Sequence, residues 1–317
     1  MDRRVTVVIV SYNTQALLRE CLRALQQSQG VALDVMVVDN ASSDGSAAMV
    51  RAEFPDVRLL AQTQNLGFAA ANNLALLTLG FREQQRGLMT LAPSADAQST
   101  TVPSDAVLLL NPDTAVRSNA IAVLMECLEA HPRAGLMGAQ LVYPDGRFQH
   151  SAFRFPGLAQ IVFDFFPLHP RLLNSRLNGR YARHTQPFQI DHPLGACMLA
   201  RRETIEQVGL MDEGYFMYVE EVDWCRRIWR AGWEIGCEPR AVVVHHEGQS
   251  TRQFRQAMFV ALWRSRLRYY RKYHSAAYVA LVRALVRVGL WQSARRLPLI
   301  ERAERMAAFD AVRALTE

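Results

Sequence analysis

The chain of 317 residues lacks both glycine-rich signatures of the common nucleotide-binding enzymes. It contains no G-x-x-x-x-G-K-[ST], so P-loop phosphate chemistry is unsupported. It also contains no G-x-G-x-x-G after its first apolar stretch, where Ser11-Tyr12-Asn13-Thr14 stands instead. These two absences argue against a P-loop enzyme and against a dinucleotide-dependent oxidoreductase.

Paired cysteines and long apolar runs are missing as well. The five cysteines include no C-x-x-C pair and no His/Cys cluster at zinc spacing, which fits a reduced cytosol better than a disulfide scaffold. No window offers the ~20 uninterrupted apolar residues that a membrane-spanning helix needs. The first apolar run, residues 5–10, is too short for the core of a signal peptide. We therefore expect a cytoplasmic globular protein that is not integral to a membrane.

Acidic residues are absent between residues 248 and 300, although the chain contains 30 of them. The same stretch holds eleven of the 36 lysines and arginines, so the net charge of +6 belongs to one segment. Its apolar residues are Val279, Leu281, Val282, Leu285, Val286, Val288, Leu290 and Trp291. We expect a basic amphipathic helical extension over 251–317. Its part 251–300 is predicted to bind the inner face of the plasma membrane peripherally, or alternatively to dock in a homodimer.

Aromatic residues in this extension suggest a nucleic-acid alternative, because aromatic rings beside arginines can stack on bases. The candidates are Trp263, Tyr269, Tyr270 and Tyr273. They recur at helical spacing, however, and no recognised nucleic-acid module is present. We therefore expect no nucleic-acid partner.

Strand-like and helix-like stretches alternate through the first part of the chain. Predicted strands are 5–10, 34–38, 57–61 and 107–110, and predicted helices are 15–29, 46–53, 69–78 and 119–130. This order predicts an α/β fold with a mostly parallel central sheet flanked by helices. Residues 82–105 interrupt the pattern and are predicted to form a mobile surface insertion. Farther along, we predict strands at 195–200 and 241–244 and helices at 202–208 and 220–231.

Polar residues follow the first four predicted strands where those strands end. They are Ser11-Tyr12-Asn13, the stretch 39–45, the stretch 64–68, and Asn111-Pro112-Asp113. Pro112 cannot donate to a sheet ladder, so the last strand ends there and presents the single carboxylate of Asp113. Taken alone, Asp113 is as easily a turn residue. Four polar turns on one rim of a parallel sheet predict a ligand pocket.

Two other clusters carry potential chemistry. Glu220, Glu221 and Asp223 lie at a predicted helix start, where acidic residues also simply complement the helix dipole. Adjacent carboxylates raise each other's proton affinity, which is one way to prepare a general base. His245 follows a predicted strand and is either structural or a ligand that completes a Mg²⁺ or Mn²⁺ site with Asp113.

These residues, in this order, resemble inverting glycosyltransferase family 2, and most closely its bacterial rhamnosyltransferase-like branch. The matching segments are VIVSYNT (8–14), VVDNASSDGS (37–46), QNLGFAAANN (64–73), LLLNPDT (108–114), GACMLARRE (195–203), GLMDEGYFMYVEEVDWCRR (209–227) and VVVHHEGQS (242–250). The resemblance implies a GT-A fold over residues 1–250. The nucleotide-binding half comes first, to about residue 115, and the acceptor half follows over about 116–250.

The resemblance also assigns residues to the nucleotide sugar. It implies that Asp39 bonds the pyrimidine ring and that Ser11, Tyr12 and Asn13 flank base and ribose. Asn65 and Gly67 would close the pocket, the glycine because backbone must approach closely. The other expected nucleotide-sugar residues are Asn40, Ser42, Asp44, Asn72, Asn111 and Asp113.

On the reaction side, the resemblance makes Asp113 the last aspartate of a D-x-D metal motif whose first position here is Asn111. His245 matches a position associated with the metal and the leaving diphosphate. Glu221 matches the catalytic base, with Glu220 or Asp223 able to substitute. The acceptor side would include Gly195, Ala196 and Trp224.

The implied reaction is transfer of a sugar from a nucleotide diphosphate sugar to a hydroxyl of a glycan or lipid-linked glycan, in cell-surface polysaccharide synthesis. The branch implies dTDP-L-rhamnose as donor and a divalent metal, Mg²⁺ or Mn²⁺, as cofactor. A UDP-hexose donor is the alternative within the same fold. A catalytically inactive nucleotide-sugar-binding protein is the alternative from another class.

Overall fold

A computed structural model describes residues 3–82, 104–166, 169–246, 255–297 and 299–317. The described strands are β1 (Arg4–Ser11), β2 (Ala32–Asp39), β3 (Arg58–Ala61), β4 (Ala106–Leu110), β5 (Thr114–Val116), β6 (Ala134–Val142), β7 (Phe148–Gln149), β8 (Ala152–Phe153), β9 (Phe188–Gln189), β10 (His192–Pro193), β11 (Cys197–Arg201) and β12 (Glu234–His245). The described helices are α1 (Gln15–Gln26), α2 (Ser46–Glu53), α3 (Phe68–Thr78), α4 (Ala120–Ala130), α5 (Leu158–Phe165), α6 (Pro170–Leu173), α7 (Arg202–Val208), α8 (Glu220–Arg230), α9 (Arg255–Tyr273), α10 (Ala276–Arg295) and α11 (Leu299–Ala314), with a 3₁₀ turn at Arg176–Asn178. The predicted insertion, 82–105, lies outside the described residues except at its ends.

One central sheet organises the molecule. Its strand order is β3-β2-β1-β4-β11-β6-β12-β5, with β7 added beside β6 and β9 beside β12. The first four strands in this order are parallel to one another, and β11 runs antiparallel between β4 and β6. The predicted α/β class with a mostly parallel central sheet is thereby confirmed, with the addition of an antiparallel strand in its middle.

Burial on both faces explains why the central strands form from nearly continuous apolar runs. In β1, every residue after Arg4 is buried, and all five residues of β4 are buried. One hydrophobic cluster lies on each side of the sheet. Helices α1 and α4 cover the first cluster, and α3 and α8 cover the second. The parallel strands therefore end on a common rim, which is where the polar turns collect.

Glycine and proline interrupt the patterns of two long strands, so β6 was not predicted and β12 was predicted only in part. All nine residues of β6 are buried, yet it contains Gly135 and Gly138. A Cβ atom at Gly138 would lie 2.5 Å from the Cβ of Pro193, so a neighbouring chain segment occupies the space of a side chain. In β12, the pairing with β6 is irregular between Glu238 and Val242, and only the part after this irregularity was predicted.

The C-terminal helices pack onto the rest of the protein through a third hydrophobic cluster. Trp263, Tyr269 and Tyr270 of α9 are each about 1% exposed and share this cluster with Val219 and Val222 beside and within α8. Buried rings cannot stack on bases, so these three aromatic residues form core. No helix among the described residues is long and apolar enough to cross a membrane.

Candidate active site

A cavity of about 560 Å³ opens at the carboxyl ends of the parallel strands. It brings together most of the residues predicted to act on the donor and in catalysis. From the predicted nucleotide-sugar set these are Tyr12, Asn40, Asn65, Gly67, Asn111 and Asp113, and from the predicted acceptor, catalytic and metal sets they are Gly195, Ala196, Glu220, Glu221 and His245. The four polar turns do meet at one rim, as the sequence predicted.

Asp113 and His245 are brought together by the pairing of the short strand β5 with the end of β12. After β4 ends, the chain turns at Pro112 and enters β5, which pairs antiparallel with the end of β12 and places His245 opposite Thr114. The carbonyl of Asp113 also accepts a hydrogen bond from the backbone N–H of His246 at 2.9 Å. As a result, the Nε2 atom of His245 lies 3.4 Å from Oδ1 of Asp113, with both side chains almost fully buried.

The hydrogen bonding of His245 decides which of its nitrogens can act as a ligand. Its Nδ1 lies 3.1 Å from Oε1 of Gln149, and an amide oxygen only accepts, so Nδ1 carries the proton. The lone pair of Nε2 in the neutral ring then faces the carboxylate of Asp113. A lone pair and a carboxylate oxygen repel each other unless a cation or a proton lies between them.

This donor pair fits a divalent metal. Imidazole nitrogen and carboxylate oxygen are ligands that Mn²⁺ accepts, and a hydrogen bond to the second ring nitrogen is the usual support for a metal-binding histidine. Within the described residues, no cluster of three or more His, Cys, Asp and Glu that could hold a metal is found. Two protein ligands alone leave positions for oxygens of a bound diphosphate and for water.

Glu220 and Glu221 begin α8 directly after two residues with left-handed backbone. Tyr218 and Val219 have φ angles of 67° and 70°, which is unfavourable for a β-branched residue such as Val219. Oε2 of each glutamate is buried and has no hydrogen-bond partner among the described residues. The Glu221 side chain also lies against Gly195, where an added Cβ would meet its Cγ at 3.5 Å. A strained turn thus holds two under-bonded carboxyl groups at the cavity wall.

Burial sets the proton affinity of this pair. It raises the pKa of Glu221 to about 7, although backbone hydrogen bonds act in the opposite direction. Burial, and secondarily the charge of Glu221, raises the pKa of Glu220 well above its ordinary value. A carboxyl group that titrates near neutral pH is matched to accepting a proton from a hydroxyl there. The pair therefore has the chemistry of a general base.

Asp39 is buried at the end of β2, opposite Ser11 of β1. Its Oδ2 accepts a hydrogen bond from the backbone N–H of Ser42 at 3.1 Å, whereas its Oδ1 is buried with no partner among the described residues. Neither Asp39 nor Ser11 lines the cavity itself. A buried acceptor without a donor is costly, so Asp39 is suited to a ligand N–H.

Other predicted nucleotide residues hold the loops together instead of facing the cavity. Asn13 accepts a hydrogen bond from the backbone N–H of Ser43 at 2.8 Å, and its own N–H donates to the Ser42 hydroxyl at 3.0 Å. Burial would raise the pKa of Asp44, but hydrogen bonds from Ser46 and the N–H of Gln15 outweigh it and lower that pKa. These contacts fix the position of the loop after β2 relative to the loop after β1.

Gly67 joins the two halves of the site. Its φ of +81° is left-handed, and an added Cβ would lie 2.3 Å from the carbonyl oxygen of Phe216. That carbonyl accepts a hydrogen bond from the N–H of Phe68 at 2.8 Å. The amide of Asn40 donates to Asn65 Oδ1 at 2.9 Å and to the carbonyl of Gly67 at 3.2 Å. The close approach that requires glycine is therefore to the backbone of Phe216, which lies in the predicted acceptor half.

Three further predicted site residues are not brought to the cavity either. Asp223 lies on another side of α8, where it accepts hydrogen bonds from Tyr273 at 2.9 Å and Arg227 at 3.0 Å and pairs with Lys272 at 2.7 Å. Trp224 is fully buried in the core and donates to the carbonyl of Gly209. Asn72 donates to the carbonyl of Phe68 within α3. Asp223 as a substitute base and Trp224 as an acceptor contact thus have no support in the geometry.

Sequence reasoning also missed an apolar wall of the cavity. It consists of Val10, Phe68, Leu194, Phe216, Met217, Tyr218, Ala257 and Met258. The aromatic run directly before Glu220 was a usable signal for part of this wall. Ala257 and Met258 come from the first turn of α9, whose basic composition indicated a surface instead. The extension therefore contributes to the site.

Known proteins resemble the chain in sequence. Residues 3–272 match the family described as glycosyltransferase-like family 2, so the match continues past residue 250 into α9. The chain is 32% identical over 250 residues to an N-acetylglucosaminyl-diphospho-decaprenol L-rhamnosyltransferase of Mycobacterium tuberculosis, a match that covers 77% of this chain and 76% of that protein. It is 25% identical over 167 residues to the rhamnosyltransferase WbbL of Escherichia coli, with 52% of this chain and 61% of that protein covered.

Solved structures resemble the chain in fold. A mannosyltransferase of Pyrobaculum calidifontis, solved with GDP-Man and Mn²⁺, aligns with a TM-score of 0.58 at 16% identity, over 100% of this chain and 87% of that one. GalNAc-T7, solved with UDP, GalNAc and Mn²⁺, aligns with a TM-score of 0.52 at 14% identity, over 76% of this chain and 42% of that one. At these identities the likeness concerns the fold, and it confirms the predicted GT-A architecture.

Proposed function

The chain belongs to glycosyltransferase-like family 2 and is a glycosyltransferase of polysaccharide synthesis, and we propose that it inverts the configuration of the sugar it transfers. The observation that carries this proposal is the common cavity. One wall holds a buried carboxyl pair with raised pKa values, and another holds the Asp113–His245 pair. A general base and a diphosphate-binding site facing one space are what a direct displacement at an anomeric carbon needs.

Glu221 is the proposed base. Its carboxylate removes the proton of an acceptor hydroxyl while that oxygen forms a bond to the anomeric carbon of the donor. The bond from this carbon to the diphosphate breaks on the opposite face, and the diphosphate leaves with the electron pair. Burial and the Glu221 charge raise the pKa of Glu220 well above its ordinary value, which favours its protonated form and limits the negative charge on the pair.

Asp113 and His245 are the proposed ligands of a divalent metal, Mg²⁺ or Mn²⁺. When bound, the metal neutralises negative charge that builds up on the leaving diphosphate. Gln149 holds the His245 ring with Nε2 turned towards Asp113. Asn111, which also lines the cavity, supplies no second charge, so Asp113 provides the only carboxylate of this donor set.

The proposed donor is dTDP-L-rhamnose. The names of the two sequence relatives support this sugar. For the base, the unpartnered Oδ1 of Asp39 supports a donor N–H such as that of a pyrimidine ring. Tyr12, Asn65 and Gly67 line the same cavity as the Asp113–His245 pair and would flank the rest of the nucleotide sugar.

The proposed acceptor is a lipid-linked glycan at the inner face of the plasma membrane. Its support is the apolar wall of the cavity together with the decaprenol-linked substrate in the name of the mycobacterial relative. Gly195 lies against Glu221, and Ala196 beside it also lines the cavity, where the acceptor hydroxyl must reach the base.

Thermal unfolding with a panel of nucleotide sugars tests the proposal, because a ligand that binds only the folded protein raises its stability by mass action. We expect dTDP-L-rhamnose with Mn²⁺ or Mg²⁺ to raise the melting temperature more than UDP-hexoses do. The Asp113→Ala variant should lose the metal-dependent part of this rise. Equal stabilisation of the variant and the wild type would contradict the assigned metal site.

Transfer itself is tested with the Glu221→Gln variant. Loss of a general base lowers turnover by about 10²–10⁴-fold. Donor-dependent thermal stabilisation should remain in this variant, because the donor is bound from the other wall. Near-normal turnover would rule out Glu221 as the base, and donor binding without transfer or hydrolysis in the wild type would favour an inactive nucleotide-sugar-binding protein.

A further inference from the structure

Exposed hydrophobic side chains concentrate on two segments of the chain that contain no acidic residue. Five of the eight large hydrophobic residues exposed in the described structure lie on them: Leu172, Leu177, Leu281, Val288 and Trp291. The first segment is 165–190, which includes α6 and the 3₁₀ turn, and the second is α10 within the acid-free stretch 248–300. We name the exposed residues of these two segments the basic apolar face.

Helix α5 holds the two segments next to each other. On one side, Phe165 packs against α10 so closely that a Cβ at Gly289 would lie 2.2 Å from its ring. On the other side, the Gln160 side chain covers Gly179, directly after the 3₁₀ turn. Both segments therefore border one short helix, although more than 100 residues separate Leu177 from Leu281 in the sequence.

The exposed side of α10 is apolar and narrow. At about 100° per residue, Leu281, Val288 and Trp291 fall within roughly 80° of one another around the helix axis. They are 47%, 52% and 55% exposed, respectively. The guanidinium of Arg295 lies 4.5 Å from the centre of the Trp291 ring. Val282, Val286 and Leu290, which the sequence grouped with them, are instead buried against the rest of the protein.

The charge on this face is less than the sequence suggests, but it is of one sign. Several basic residues of the extension are used internally: Arg266 pairs with Asp164, Arg268 and Lys272 pair with Asp212, and Arg287 donates to Thr316. Other arginines of the two segments are exposed, and the described structure gives them no ion pair with an acidic residue. They are Arg171, Arg176 and Arg183 in the first segment and Arg295 in α10.

We propose that the basic apolar face binds the surface of an anionic membrane. Exposed leucine, valine and tryptophan beside arginine are the composition of interfacial segments, which insert apolar side chains and pair their charges with lipid phosphates. A symmetric dimer through the same face would set arginines against arginines, because both copies present the same patch. This proposal concerns where the protein binds and not the reaction that it catalyses, so it can be tested without donor or acceptor.

Vesicle flotation of the full chain measures this binding. Vesicles of phosphatidylcholine with about one third phosphatidylglycerol should carry the protein at low salt, and vesicles of phosphatidylcholine alone should bind it at least about ten-fold more weakly. The Arg171→Gln/Arg176→Gln/Arg183→Gln variant should lose affinity on the order of 100-fold, since each arginine near an anionic surface strengthens binding about five-fold. High salt should weaken wild-type binding in the same direction.

The apolar contribution is tested by the Val288→Asn/Trp291→Ser variant, with Leu77→Ser as the matched control. Leu77 is 49% exposed but lies on α3, away from this face. The first variant should bind anionic vesicles at least about ten-fold more weakly and the control should bind like the wild type, while circular dichroism shows all three to be folded. Absence of wild-type binding, or equal loss in the control, would overturn the proposal. So would a wild-type dimer that the Val288→Asn/Trp291→Ser variant dissociates in sedimentation velocity.

Discussion

Replacing Glu221 with glutamine should change how the free energy of unfolding depends on pH. In the folded protein, burial raises the pKa of Glu221 from its ordinary value of 4.5 to about 7. An acidic group whose pKa is higher in the folded state than in the unfolded state contributes stability. This contribution is fully present at pH values below the pKa of the unfolded state. That contribution is lost as the pH rises through the folded value. The wild-type protein should therefore lose stability between about pH 4.5 and about pH 7.

The size of this loss follows from the two pKa values. At about 1.4 kcal/mol for each pKa unit, the interval from 4.5 to about 7 corresponds to roughly 3 kcal/mol. Glutamine does not titrate, so the variant should gain up to this amount relative to the wild type between about pH 5 and about pH 8. Removal of the Glu221 charge should also lower the pKa of Glu220, which adds to the difference in the same direction.

Urea unfolding followed by circular dichroism at several pH values measures the effect. The matched control is Glu203→Gln, which also removes an acid from the first turn of a helix but at an exposed position of α7. Glu203→Gln should change the free energy of unfolding by a similar small amount at every pH. Parallel profiles for wild type and Glu221→Gln across this range would refute the assignment of a raised pKa to Glu221, and with it the physical reason for choosing this residue as the base.

Three further predictions concern the residues around the cavity. Gly67→Ala should lower the free energy of unfolding in urea by about 1–3 kcal/mol more than Gly146→Ala does. Both glycines have a φ of +81°, but only Gly67 lies against a backbone carbonyl, so equal losses would contradict the contact with Phe216. Gln149→Leu should lower the affinity for Mn²⁺, measured by donor-dependent thermal stabilisation, by about 10–100-fold, because His245 loses its partner; unchanged affinity would contradict that role. Asp223→Asn should lower the free energy of unfolding by about 3 kcal/mol, because Lys272 and Arg227 lose their buried anion. The affinity of the folded variant for the donor should not change, and a loss of that affinity would place Asp223 at the site.

Local signals in the sequence predicted the rim of the sheet well. Apolar runs ending in Asn, Asp or Pro mark strand ends, and parallel strands bring such ends together without further information. Asp113 could be predicted in this way because Pro112 stops β4 directly before it. The pairing of β5 with β12 could not, since it joins residues about 130 positions apart through strands of three and twelve residues. The contact of Gln149 with His245 depends on the pairing of β7 with β6 and of β6 with β12, and it left no signal.

The charge of the extension was the other feature that sequence could not resolve. Composition shows that arginines are abundant and acids absent, but not which arginines find partners in other segments. Asp164 and Asp212 lie 102 and 56 residues from the basic residues that they bind. Only a structure separates these internal pairs from the exposed arginines of the basic apolar face. The structure also shows that Asp223 forms contacts that hold α8 in place, whereas the sequence grouped it with the reacting residues.

The contacts of α9 explain how a strained turn can persist at the cavity. The left-handed backbone of Tyr218 and Val219 costs roughly 1–3 kcal/mol for each residue, and it must be over-determined by its surroundings. The Ser265 hydroxyl of α9 donates to the carbonyl of Met217 at 2.8 Å, directly before this turn. Lys272, near the C-terminal end of α9, pairs with Asp223 in the first turn of α8, directly after the strained turn. Helix α9 therefore contacts the chain on both sides of the strained turn. The position of Glu221 thus depends on a segment whose composition alone suggested a surface appendage.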